Sequence, residues 1–323
     1  MTAPVLDIYL SDSDAAEALQ HDARVGLSAD PKWLPPRWFY DARGSELFEQ
    51  ITMLPEYYPT RTERELLRRS VTEIAARAAA DTLIELGSGS SEKTRLLLDA
   101  LTASGPLRRF MPLDVSEAAL RGAMAAVAQE YAGLTVHGVV GDFTQHLELL
   151  PPAERGRRLV AFLGGTIGNL VPEERAGFLT ALRAALDPGE LLLLGAGLVT
   201  DPAVMVPAYD DAAGVTAEFN LNMLHVLNRE LDADFDVAAF DHVAVWDATR
   251  EWIEMRLRAR CAMTVHVPAV GMTVRYAEGE EMRTEVSGKF RREALGAELL
   301  DAGFADQRWW TDSDDRFALV LTA

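Results

Sequence analysis

Apolar and polar positions follow two different rhythms along this chain, and the point where one gives way to the other divides it. Between residues 62 and 194, helical periods alternate with short apolar runs, the order of a doubly wound α/β domain. Helices are expected at 62–80, 92–101, from 116 onward and at 172–186, with strands at 83–86, 109–116, 134–140, 158–163 and 191–194. Ahead of this core, 13–27 reads as an amphipathic helix capped by Ser13 or Asp14, and 44–51 as a short one. After Leu198 the alternation stops. A long helical stretch at 215–231 precedes extended runs at 235–240, 243–246 and 253–267, the last with period two. A helix at 292–302 and runs at 308–311 and 317–321 then suit a return to the first sheet. The expected division is one α/β domain from 61–196 and 288–323, and a second, mixed α/β domain from 1–60 and 197–287.

The best-marked chemistry lies at the end of the 83–86 run, in Glu85-Leu86-Gly87-Ser88-Gly89-Ser90-Ser91-Glu92-Lys93-Thr94. Gly87 and Gly89 let the main chain turn sharply and approach a ligand. A dinucleotide fingerprint needs a glycine where Glu92 stands, and a phosphate loop needs Gly-Lys-Ser/Thr closing a longer loop. Neither is met. Glu85 suits a cation better than a pyrophosphate. E-x-G-x-G resembles motif I of S-adenosylmethionine-dependent methyltransferases, whose cofactor carries a sulfonium and no phosphate. The bland alternative is a glycine turn between core elements.

Charge agrees with a small-molecule site. Lys and Arg number 31 against 50 Asp and Glu, a formal charge of −19. That disfavours nucleic acid, which wants a basic face, and offers an anionic membrane nothing. The lone cysteine, Cys261, permits no internal disulfide and no cysteine-based zinc site; beside Ala259, Ala262 and Met263 it reads as a small buried hydrophobe. The first nine residues lack the pattern of a signal peptide, and the apolar run 191–199 is too short to span a bilayer. A cytoplasmic monomer without a metal is expected.

Further candidates follow the strand ends. Asp114 closes the second strand, where an acidic residue takes the ribose hydroxyls in nucleoside-binding α/β folds; capping the next helix is the alternative. Asp142 and Phe143 close the third, a carboxylate for an adenine amino group and a ring for its face. Asn169 ends the glycine-rich 164–170 segment, as a turn residue or as an amide for an amine or carboxylate. Paired prolines at 35 and 36 predict an extended path beside four aromatics, which either line a pocket or plug the core. Tyr57 and Tyr58 between prolines suggest a lid or pocket wall. In an extended 280–290 segment Glu285 and Ser287 share a face, and a carboxylate with a hydroxyl matches the two nitrogens of an imidazole; an exposed strand edge is the plainer account.

Taken together, the stretches 34–41, 54–63, 85–94, 162–170, 208–216 and 281–290 resemble the histidine Nα-methyltransferases of actinobacterial ergothioneine biosynthesis, over essentially the whole chain. The resemblance implies a Rossmann-like class I methyltransferase domain with a second, mixed α/β substrate-binding domain. It implies trimethylation of the α-amino group of L-histidine to hercynine with S-adenosyl-L-methionine. Gly87, Lys93, Asp114, Asp142 and Phe143 would bind the cofactor. Tyr57, Asn169, Tyr209, Met255, Glu285 and Ser287 would bind histidine, with Tyr40 and Asn169 positioning the amine and Phe48 in a matching stretch. One departure is Leu194-Gly195-Ala196-Gly197-Leu198, where the family carries an acidic residue. Rival readings are methylation of another α-amino acid or amine, and a silent binding protein that senses the cofactor or histidine. An oxidoreductase is disfavoured by Glu85 and Glu92.

Overall fold

A computed structural model describes residues 4–89, 91–105, 107–152 and 156–323. Ser90 of the glycine turn and the first three residues of the N-terminal segment, both weighed above, lie outside the described residues. The chain forms two compact units, Met1–Leu10 with Pro59–Val199 and Phe290–Ala323, and Ser11–Tyr58 with Thr200–Lys289.

The first unit is built on an eight-stranded sheet. Named by first residue, its strands run Val5, Thr135, Arg109, Thr82, Arg158, Leu191, Phe317, Arg308. The first six are parallel, Phe317–Thr322 pairs antiparallel with the sixth and Arg308–Thr311 antiparallel with that, so the closing strands complete this sheet. From Thr82 the chain steps outward to one side and then returns to Arg158 on the other, which makes the gap between those strands the topological switch point where open α/β sheets bind ligands. Thr82–Leu86 is buried at every position. Ile84 and Leu86 pack with Phe162, Leu192 and Leu194 on one face, Leu83 with Leu159, Leu193 and Leu319 on the other. Burial on both faces explains the mostly apolar runs.

Val5–Ile8 carries no strand signal. It pairs at the sheet edge with Thr135–Val140, and Val5 and Ile8 stay exposed, so no apolar face marks it. Its place in the first unit differs from the expected division, which set residues 1–60 in the other domain.

The second unit holds a four-stranded sheet ordered Lys32–Trp33, Glu281–Gly288, Trp252–Ala259, Phe240–Asp247, and a hairpin of Met263–Val267 with Met272–Tyr276. Val215–Leu231 falls where periodicity set it, buried through Phe219, Met223, Leu224 and Leu227. The first helix runs Asp12–Ser28, and its cap is Ser11 rather than Ser13 or Asp14: Ser11 and Asp14 form a reciprocal capping box. Pro35 is extended, but Pro36–Phe39 turns into a short 3-10 helix. The expected run 253–267 is two strands broken at residues 260–262, and Cys261 in that turn is exposed, not buried. The 235–240 run is likewise mostly a 3-10 turn, capped by Asp236. Among the described residues no helix is long and apolar enough to cross a membrane.

Candidate active site

In the first unit the glycine turn leaves the Thr82–Leu86 strand with Gly87 at φ 67° and Gly89 at φ 49°, conformations closed to most side chains. The turn is tied to the neighbouring strand: Gly87 N–H and Ser88 N–H donate to the Leu113 carbonyl, at 2.9 and 3.1 Å. Gly89 N–H donates to Asp114 Oδ2 at 2.8 Å, and Ser116 N–H to Oδ1 at 2.9 Å. Asp114 is thus held between loop and next helix, while the helix cap itself is Ser116. Burial pushes the Asp114 carboxyl up against those donors. Gly141 N–H reaches the Asp114 carbonyl at 3.0 Å, and Asp142 Oδ1 accepts from the Thr144 amide and hydroxyl at 2.8 and 2.6 Å. Phe143 packs on Phe162 and Phe178, with its ring edge 3.9 Å from where a Gly87 side chain would begin. Gly87, Asp114, Asp142 and Phe143 therefore line up along adjacent strand ends.

Helix does not resume at Glu92. Ser91 adopts φ 51°, and the helix begins only at Arg95. The reason is Glu85, whose carboxylate draws the hydroxyls of Ser91 (2.8 Å) and Thr94 back under the loop. Burial pushes its carboxyl up to about 7 in spite of these donors and the charge of Lys93. Because the folded value lies above the ordinary 4.5, Glu85 favours folding fully below pH 4.5, and that contribution is lost as pH rises to about 7. Set against Glu85→Gln, which cannot ionise, the ligand-free parent should lose about 2–3 kcal/mol across that window. Urea unfolding at a series of pH values reads the difference, and a constant gap would show that Glu85 does not titrate there.

Lys93 points to a partner that sequence reasoning missed. Its ammonium pairs with the fully buried Glu63, and Glu63 Oε1 accepts the Gly164 amide at 2.7 Å. Glu63 thereby joins the helix Tyr58–Ala78 to the loops after two central strands. Asn169 sits at the end of a 3-10 turn, Thr166–Asn169, opened by Gly165 at φ 72°. The chemistry of this end suits a nucleoside that bears no phosphate. It offers carboxylates at Asp114 and Asp142, an aromatic face at Phe143, and a cation already matched by Glu63. The buried Ser88 hydroxyl, which has no hydrogen-bond partner among the described residues, adds a polar group left for a ligand.

The second unit gathers the residues expected at the substrate end, Asn169 excepted. Tyr40 meets Phe48 edge-on at 5.7 Å between ring centroids, Phe48 meets Tyr57 at 6.2 Å, and Tyr57 meets Tyr209 at 6.2 Å. Tyr209 lies 2.7 Å from Ser287 Oγ through its hydroxyl. Glu285 and Ser287 follow a bulge after Arg283, so they remain two apart on one face of the strand, with Glu285 directly across from Met255. The bulge is fixed by the Thr284 hydroxyl, 2.6 Å from Asn220 Oδ1 and 3.1 Å from the Met255 carbonyl. A second missed residue is Lys289, a buried ammonium 2.9 Å from the Tyr209 hydroxyl and 2.7 Å from Ser287 Oγ. The sequence held its signal: Lys289 continues the period of two from Glu285 and Ser287. Burial lowers this lysine to about 8, and burial beside Glu285 pushes the Tyr209 phenol up, so it stays protonated.

Comparison with known proteins gives a consistent result. A family described as histidine-specific, S-adenosylmethionine-dependent methyltransferase matches residues 19–323. A histidine N-alpha-methyltransferase of Mycolicibacterium smegmatis is 58% identical over 313 residues, covering 97% of this chain and 97% of that protein. One of Mycobacterium tuberculosis is 55% identical over 315 residues, 98% of each. Ergothioneine biosynthesis protein 1 of Neurospora crassa is 36% identical over 202 residues, 62% of this chain and 23% of that protein.

Proposed function

We propose that this chain, which belongs to the histidine-specific, S-adenosylmethionine-dependent methyltransferase family, trimethylates the α-amino group of L-histidine to hercynine, the first step of ergothioneine biosynthesis. The observation that carries the choice of histidine is the pairing of Glu285 and Ser287 on one strand face, with Tyr209 bonded to Ser287 and Met255 beside Glu285. An indole or phenol would use one of the two polar groups; an imidazole uses both.

Gly87, Asp114, Asp142 and Phe143 would hold the cofactor, Asp114 at the ribose and Asp142 with Phe143 at the adenine. Lys93 would act alongside Glu63, which already neutralises it. When bound, S-adenosylmethionine supplies a methyl group made electrophilic by its sulfonium. The chain's own task is alignment, which contributes ~7–11 kcal/mol in well-oriented reactions. Tyr57, Glu285 and Ser287 would fix the ring, and Tyr209 with Asn169 the carboxylate. Tyr40 and Asn169 would hydrogen-bond the amine, which must be neutral to attack, with water carrying its proton away. Anchoring the substrate by ring and carboxylate leaves the amine free to turn between successive methylations. The exposed free thiol of Cys261 supports work in a reducing, cytoplasmic compartment.

Mass spectrometry of the purified protein, incubated with S-adenosylmethionine and a mixture of the common amino acids, tests this. Trimethylhistidine is the expected product. Methylation of another amino acid would overturn the roles of Glu285 and Ser287, and cofactor binding without any product would favour a silent sensor.

A further inference from the structure

Lys289 has no part in the chemistry above, yet its buried ammonium closes a triangle of polar atoms. Nζ lies 2.9 Å from the Tyr209 hydroxyl and 2.7 Å from Ser287 Oγ, and the two oxygens are 2.7 Å apart. Charged lysine can only donate, so each oxygen accepts from it. One hydrogen then lies between the oxygens. A phenol is the more acidic hydroxyl and the better donor, so Tyr209 donates to Ser287. Ser287 Oγ now accepts from both Lys289 and Tyr209, which fills its two lone pairs. Its own hydrogen is all it has left to offer. Two residues back on the same strand face, Glu285 in its ionised form can only accept.

With Glu285 and Ser287 assigned to the ring as proposed above, on which this rests, we propose that Lys289 is a specificity-determining residue that makes Ser287 an obligate donor. The site then takes neutral imidazole in one tautomer, bare nitrogen on Ser287 and N–H on Glu285, and rejects imidazolium. The titratable groups facing the ammonium are Tyr58, Tyr209 and Glu285. Neutral methionine at this position would release the hydroxyl pair, letting Ser287 accept from a ring N–H as readily as it donates.

Nitrogen NMR of ring-labelled histidine tests the parent directly, in the ternary complex with S-adenosylhomocysteine at a pH about one unit below the free imidazole value near 6.5. One protonated and one bare nitrogen are expected on the bound ring; two protonated nitrogens would overturn the inference. No binding of histidine at all would instead remove the reading of the site beneath it, and the inference with it. Calorimetric titration of Lys289→Met supplies the second readout. The parent Kd for histidine should rise about tenfold per pH unit below about 6.5, the slope for excluding one protonated form. The variant should bind about tenfold more weakly at pH 7.5, with that acid slope flattened. A variant that keeps the parent's slope would overturn the inference.

Discussion

Glu285→Ala is expected to cut kcat/KM for histidine by roughly 10³-fold, the effect of losing a charged acceptor whose donor is then left unpaired in a desolvated site. Affinity for S-adenosylmethionine, followed by calorimetry, should stay near the parent's. Glu285 belongs to the second unit and the groups assigned to the cofactor to the first. Glu285 pairs across the strand from Met255, and its charge acts on Tyr209 and Lys289, so its removal takes away the acceptor half of a donor–acceptor pair. Phenylalanine, which presents no ring nitrogen, should be rejected by the parent by about 10⁴. The variant should narrow that ratio mainly by losing histidine. Unchanged histidine kinetics would remove the ring contact altogether.

Glu63→Ala is expected to lower the unfolding free energy by about 3–5 kcal/mol, the cost of breaking a buried ion pair from one side. The carboxylate is wholly buried, and it serves both Lys93 and the Gly164 amide. Its removal leaves a partly buried ammonium and an unpaired N–H at the switch point. Lys93→Met in the same chain should restore about 1–2 kcal/mol, because the orphaned charge disappears with it. Urea unfolding of the four proteins of the cycle measures this; strictly additive losses would show that the two side chains are not coupled. Gly195 explains part of the departure at residues 194–198: a β-carbon there would collide with the Glu63 carboxylate. Gly197 pairs through its main chain, opposite Phe317 and accepting the Phe290 amide at 2.8 Å, and nothing in the structure explains the glycine there.

What could be read from the sequence follows from what each residue had to do. Thr82–Leu86 and Leu191–Gly197 stood out because strands buried on both faces are mostly apolar, Glu85 being the charged exception held by Ser91 and Thr94. Val215–Leu231 stood out because one side of a long helix fills a core. Val5–Ile8 was silent because this short edge strand packs only Leu6 on the core and leaves its apolar ends Val5 and Ile8 exposed. The delayed helix after Glu92 was hidden for another reason: the tie from Glu85 to Ser91 and Thr94 is a side-chain contact, and periodicity does not report those. The substrate residues are scattered from Tyr40 to Ser287; spacing connects only Glu285 with Ser287, and the family resemblance drew in the rest. Glu63 carried no such mark, since burial of an ion is visible only when its partners are, whereas Lys289 was marked by its period of two from Glu285 and Ser287.

The chain crosses between its two units four times, at Leu10–Ser11, Tyr58–Pro59, Val199–Thr200 and Lys289–Phe290. Two of those seams fall immediately beside Tyr57 with Tyr58 and at Lys289 itself. An engineer who wished to exchange the acceptor specificity of this enzyme would therefore have to graft two separate inserts rather than one cassette. The splice points would have to keep each terminal tyrosine or lysine with its own insert. Drawn a few residues short, the graft would carry the pocket's walls and leave its polar anchor behind.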